Sequence, residues 1–183
     1  VNGTTWFDRT NYFETLPSGG LDLALWLEAD RLGSLLDALT QANLDIQREV
    51  VKEEKRQRYD NVPYGDAMRR LIELTFPADH PYGHTVIGSM DDLNAATVED
   101  VAAFFATHYV PNNAVLSVVG DVDTEAVVAS VERFFGAIPA NPAIPVLGDL
   151  SLPPTLGREI REVVSDRVPL PRIYVGFRAP VFG

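Results

Sequence analysis

The sequence predicts an α+β fold in which helices pack with an antiparallel-rich sheet. Three observations lead there: apolar residues recur at helical spacing in several stretches, short alternating or β-branched runs stand between them, and Gly, Pro, Asn and Asp punctuate the joins.

The opening stretch is rich in Thr, Trp, Phe and Tyr, and Thr10, Tyr12 and Glu14 alternate against Asn11, Phe13 and Thr15, which predicts two short strands around Asp8-Arg9. After Ser18-Gly19-Gly20, the leucines at 21, 25, 32, 35 and 36 set a helical period. Residues 40–43 offer caps for a second helix running to about Asp60, and a third is expected between Asp66 and Phe76. Pro81, Gly83 and Gly88 make residues 77–92 a loop. Thr97 can cap the helix that carries Val101, Phe104 and Phe105, with Asp100 suited to its first turn. The run Ala114-Val115-Leu116-Ser117-Val118-Val119, closed by Gly120-Asp121, fits a buried strand. Asp123 or Thr124 then caps a helix through Phe135, stopped at Gly136.

Beyond that point Pro139, Pro142, Pro145, Pro153 and Pro154 forbid helix and favour an extended connection. Residues 1–140 are therefore expected to form one domain and 141–157 a linker, while 158–183 open a second domain with strands at 158–164 and 172–177. At 183 residues, with 46% of them apolar, the chain is long enough to bury a sizeable core. No initiator methionine or signal peptide opens it, and Ala179-Pro180-Val181-Phe182-Gly183 carry no stop signal, so both ends are expected to lie within a longer sequence.

Fifteen Lys and Arg stand against 26 Asp and Glu, a net charge of −11, which argues against nucleic-acid or anionic-membrane partners because both select basic patches. No run is long and apolar enough for a membrane span. The absence of cysteine excludes disulfides and thiolate metal sites.

The second helix holds the candidate chemistry. At about 100° per residue, Leu44, Val50 and Val51 define its apolar stripe, and Gln47, Glu54 and Arg58 fall inside that stripe while Glu49 and Glu53 project to the far side. An inward carboxylate needs a partner. For Glu54 the pattern leaves two open: an ion pair with Arg58 at i+4, or a metal ion.

The run Gln47-Arg48-Glu49-Val50-Val51-Lys52-Glu53-Glu54 resembles the E-R-x-V-V-x-x-E helix of pitrilysin/insulinase-type zinc metallopeptidases, a family that includes mitochondrial processing peptidase. Asn2-Gly3-Thr4-Thr5 with Asp8, Thr10 and Tyr12 is similar to the strand pair following that family's catalytic helix. Leu27-Glu28-Ala29-Asp30-Arg31, Pro63-Tyr64-Gly65, His80-Pro81-Tyr82-Gly83 and His108-Tyr109-Val110-Pro111-Asn112-Asn113 also appear in the family's order. The ordered set is specific where no single piece is.

The resemblance implies a half-domain of the processing-peptidase type, with Glu54 as the distal zinc ligand joining two histidines of an upstream H-x-x-E-H helix. It implies that Asn2, Gly3 and Thr4 line a strand edge to which a peptide adds, and that a second half-domain or partner subunit completes the enclosure. Two departures matter. Gln47 stands where the family carries a second glutamate, and H-x-x-E-H is absent: His80, His84 and His108 do not form it and are expected in loop or structural roles. One carboxylate cannot hold zinc, so this chain alone is expected to be inactive and to bind zinc weakly. The expected whole is a zinc metalloendopeptidase acting on peptides or unfolded proteins. The rival is a noncatalytic homologue serving as a structural or peptide-binding subunit.

Overall fold

A computed structural model describes residues 2–179. The expectation about how the chain ends falls on 180–183, outside the described residues. Two strands open the chain, β1 (Asn2–Thr5) and β2 (Thr10–Phe13), joined by a turn in which the Trp6 N–H donates to the Arg9 carbonyl at 2.8 Å. They form a two-stranded antiparallel sheet. Among the described residues six α-helices follow: α1 (Leu21–Ser34), α2 (Gln41–Lys55), α3 (Ala67–Thr75), α4 (Met90–Ala95), α5 (Val98–His108) and α6 (Thr124–Phe135).

The helix boundaries follow local hydrogen bonding. Thr97 Oγ1 accepts the Asp100 N–H at 3.1 Å while the Asp100 carboxylate accepts the Thr97 N–H at 2.9 Å, a reciprocal cap that satisfies two donors the first turn of α5 would otherwise leave open. Asp123 does the same work for α6 by accepting the Ala126 N–H at 2.9 Å. Thr40 Oγ1 accepts from the Asn43 N–H at the start of α2. Helix α4 falls partly within the stretch expected as loop; its signal was Ser89 three residues before Asp92, whose N–H donates to Ser89 Oγ at 3.0 Å. The second helix ends its α-helical part at Lys55 and passes into a π turn over Arg56–Asp60, where the Asn61 N–H reaches back to the Arg56 carbonyl at 2.9 Å.

The expectation of an antiparallel-rich sheet is corrected: the described residues are mostly helical, with strand structure confined to β1 and β2. Residues 114–119, 158–164 and 172–177 adopt no strand. Ala114 has extended torsions, φ −121° and ψ 147°, so its backbone is ready for a ladder that no neighbour completes. Side chains expected to be buried there are open to water, Val115 at 97% and Val119 at 93%. The sizeable core is corrected likewise, since Leu25, Ala29 and Val110 are the buried apolar residues among those described. β-branched residues favour a pleated surface only when a second strand and a covering layer are there to receive them.

The residues cluster into two compact units. One comprises 2–4, 10–46 and 96–146. Here α1 packs against α6, with Asp22 accepting from Ser130 Oγ at 3.0 Å and pairing with Arg133 at 2.6 Å. Phe105 and Tyr109 stack with centroids 3.9 Å apart. The other comprises 5–9, 47–95 and 147–179. Within it, extended chain from beyond the proline-rich stretch runs along α3: Arg70 pairs with Glu162, and the Arg178 guanidinium donates to the Thr75 carbonyl at 2.8 and 3.1 Å. Charged and backbone groups, rather than a β ladder, hold that segment.

Candidate metal centre

Glu54 lies near the end of α2, in the second unit. Its side chain is half-buried, 38% exposed, and Oε1 stands 3.0 Å from Nη1 of Arg58. The inward-facing carboxylate is thus corrected to a partly solvated one, because the stripe is covered only in part: Leu44 and Val51 are half-buried while Val50 is 55% exposed. Of the two partners that the pattern left open, Arg58 is the one in contact. Gln47, two turns earlier on the same face, is exposed.

Neighbouring contacts fix the backbone on which Glu54 sits. Arg48 Nε donates to the Leu93 carbonyl at 2.7 Å, tying α2 to α4. After the π turn, Tyr64 takes φ 63°, a left-handed conformation that costs a bulky residue energy. Its N–H donates to Asp166 at 3.2 Å, its hydroxyl to the Leu170 carbonyl at 2.7 Å, and Arg172 lies 3.8 Å over its ring. The role of Pro63-Tyr64-Gly65 as a clamp on residues 166–172 depends on contacts more than 100 residues away and has no local signature beyond the family resemblance of the three residues.

Asn2, Gly3 and Thr4 lie together on β1, exposed, in the first unit. Asn2 Oδ1 accepts the Gly3 N–H at 2.8 Å, and Thr4 Oγ1 donates to Asn11 Oδ1 on β2. A Cβ at Gly3 would stand 3.1 Å from the Tyr12 ring, so glycine lets the strand lie close over that ring. The three histidines make local contacts. His80 Nδ1 accepts the Tyr82 N–H at 3.0 Å, leaving Nε2 to donate to the Leu150 carbonyl at 3.2 Å, and the ring stacks on Phe76. His84 Nδ1 lies 3.1 Å from the Thr85 carbonyl oxygen, and His108 packs against Phe104.

Among the described residues no group of three or more His, Cys, Asp or Glu is placed to hold a metal ion. The donors of this chain therefore do not by themselves fit zinc: Glu54 supplies one carboxylate, and a catalytic zinc takes three protein ligands with a position left for water.

Comparison with known proteins decides the family. The model of the "Peptidase M16 inactive domain" matches residues 95–182. The zinc protease PqqE of Helicobacter pylori is 34% identical over 183 residues, 99% of this chain and 40% of that protein. A crystal structure of a protease from Helicobacter pylori superposes with a TM-score of 0.73 at 36% identity, covering 79% of this chain and 35% of the other. The chain belongs to the M16 peptidase family. A more distant M16 relative, a probable mitochondrial-processing peptidase subunit beta from Arabidopsis thaliana, is 24% identical over 97% of this chain and 33% of its own length. This M16 chain spans about 40% of the length of its PqqE relative. No helix among its described residues is long and apolar enough to cross a membrane.

Proposed function

We propose that the full-length protein carrying this chain is a zinc-dependent M16 metalloendopeptidase acting on peptides or unfolded proteins, in which Glu54 supplies one zinc ligand. The observation that carries the reading is the position of Glu54. By the resemblance it falls at the ligand place of the family's E-R-x-V-V-x-x-E helix, and its carboxylate, on a regular α-helix, pairs with a largely exposed Arg58 that a metal ion can displace. The kinship to proteins named zinc proteases supports zinc as the metal. Zinc, when bound with its remaining donors, would polarise a peptide carbonyl and acidify a water; this chain alone stays inactive and binds zinc weakly. Asn2, Gly3 and Thr4 are read as a peptide-docking edge because β1 is an edge strand.

The segmentation into 1–140, 141–157 and 158–183 belongs to the same proposal, as does a second half-domain or partner subunit that completes the enclosure of the peptide. Mutating Glu54→Gln in the full-length protein tests the ligand: zinc content and peptidase activity should both fall, and unchanged zinc with unchanged activity would overturn the assignment.

A second reading, a noncatalytic subunit of a peptidase complex, is favoured by Gln47 and by the match to a domain described as inactive. The full-length protein would then bind extended peptides without zinc. Calorimetry with and without chelator separates the two readings.

A further inference from the structure

Gly3 and Tyr12 face each other across the β1–β2 ladder. Counting back from the Trp6–Arg9 bond at the turn, Thr4 stands opposite Asn11, to which it bonds, and Gly3 opposite Tyr12. The half-buried Tyr12 ring lies against the strand there: a Cβ added at Gly3 would stand 3.1 Å from ring carbon Cδ1 and 3.3 Å from Cε1. Two helices hold the ring. The Arg31 guanidinium of α1 lies 4.1 Å from its centroid and is fixed in turn by Glu28, whose two oxygens accept from Nε and Nη2 at 3.1 Å each. Just past the end of α5, the Tyr109 hydroxyl stands 3.0 Å from that of Tyr12, and the Tyr109 ring stacks on Phe105. All these residues belong to the first unit.

All four residues of β1 are exposed, and a short two-stranded hairpin has little stability of its own. The surface beneath the strand therefore sets where its edge stands. We propose that Tyr12 is the positioning residue of the peptide-docking edge: its ring, pinned between Arg31 and Tyr109, supports β1 at Gly3 and so fixes the line of backbone groups that an extended peptide must meet. The proposal rests on the reading of Asn2, Gly3 and Thr4 as that edge. Strand addition requires such a support, because the incoming chain bonds to successive backbone groups and a tilt of the strand spoils several of those bonds together. The ring and the hydroxyl of Tyr12 then have separable roles. The ring sets the height of β1, whereas the hydroxyl adds stability through Tyr109.

Fluorescence anisotropy with a labelled, unstructured casein peptide tests this in the full-length protein, with chelator present so that the peptide is not cut, alongside thermal melts. Tyr12→Leu, which removes the ring, should weaken binding by about tenfold, while Tyr12→Phe, which keeps it, should bind within about twofold of the parent although it melts lower for want of the bond to Tyr109. Gly3→Val should also weaken binding, by lifting the strand off the ring from the other side. Unchanged affinity in both Tyr12→Leu and Gly3→Val overturns the proposal. So does an affinity that falls in step with Tm in Tyr12→Phe, which is what a purely structural role predicts. Hydrogen exchange at residues 2–5 separates the proposal from the reading beneath it, since bound peptide should slow exchange there in the parent. Without that protection the docking edge falls and the proposal with it; with protection, and with Tyr12→Leu binding as the parent does, the proposal alone falls.

Discussion

Glu54 Oε1 and Arg58 Nη1 face each other at 3.0 Å, one helical turn apart, the acid crossing from the last α-helical turn into a base held in the π turn. With 38% of the one side chain and 71% of the other exposed, water screens the pair.

Replacing Arg58 with Gln should therefore cost little, about 0.3–0.5 kcal/mol by the usual value of exposed i,i+4 pairs. Urea denaturation should show a midpoint close to that of the parent. In the full-length protein the same variant should retain its zinc or bind it more tightly, because the carboxylate no longer has a competing cation; chelator competition measures this. Loss of zinc would mean that Arg58 orients the ligand.

Thr97→Ala should destabilise by about 1 kcal/mol, since the hydroxyl is the acceptor for the first turn of α5. Its partner gives a pH signature. The bonds from the Thr97 side chain and backbone hold the Asp100 carboxyl below its ordinary 3.8. The stability it contributes is present above 3.8 and is lost as pH falls through the lower native value. Acid unfolding followed by circular dichroism should accordingly be less steep in Asp100→Asn.

Gly65→Ala should be among the most damaging single changes to the second unit, by about 2 kcal/mol or more, because a Cβ there would overlap the Tyr59 carbonyl oxygen. Gly19→Ala is the matched control, with nothing within 4 Å of the added carbon. Parallel thermal melts of the two variants provide the comparison.

Tyr12 should ionise late. Burial, followed by the hydrogen bond with Tyr109, pushes its phenol from 10.0 up to about 12, although the charge of Arg31 acts in the opposite direction. The stability due to the neutral phenol is complete below 10.0 and declines as pH rises toward 12. Ultraviolet difference titration should resolve this late step, and Tyr12→Phe should remove it while leaving the transition of Tyr82, raised by its hydrogen bond to Asp8, in place.

The boundaries of α5 and α6 could be read from Thr97, Asp123 and Gly136 because a helix satisfies its backbone within four residues of itself, and its caps are equally local. Residues 114–119 misled for the opposite reason. Their apolar, β-branched character expresses a preference that only a partner strand can fulfil, and Val115 and Val119 have none to cover them. The site shows the same division. The register of Gln47, Glu54 and Arg58 on one helical face was legible from spacing alone, whereas the burial of that face was not, since it depends on what lies across from it.

Sequence by itself determined the family, through an ordered set of short motifs, and the places where helices begin and end, through side chains that bond to backbone three residues away. Tertiary structure decided that the carboxylate of Glu54 lies half in water beside Arg58, that Tyr64 grips a segment 100 residues distant, and that the Tyr12 and Tyr109 hydroxyls meet. The reason is the reach of the forces. Hydrogen bonds within a helix are set by neighbours along the chain, while burial, strand pairing and the meeting of distant side chains are set by whichever surfaces the folded chain brings together.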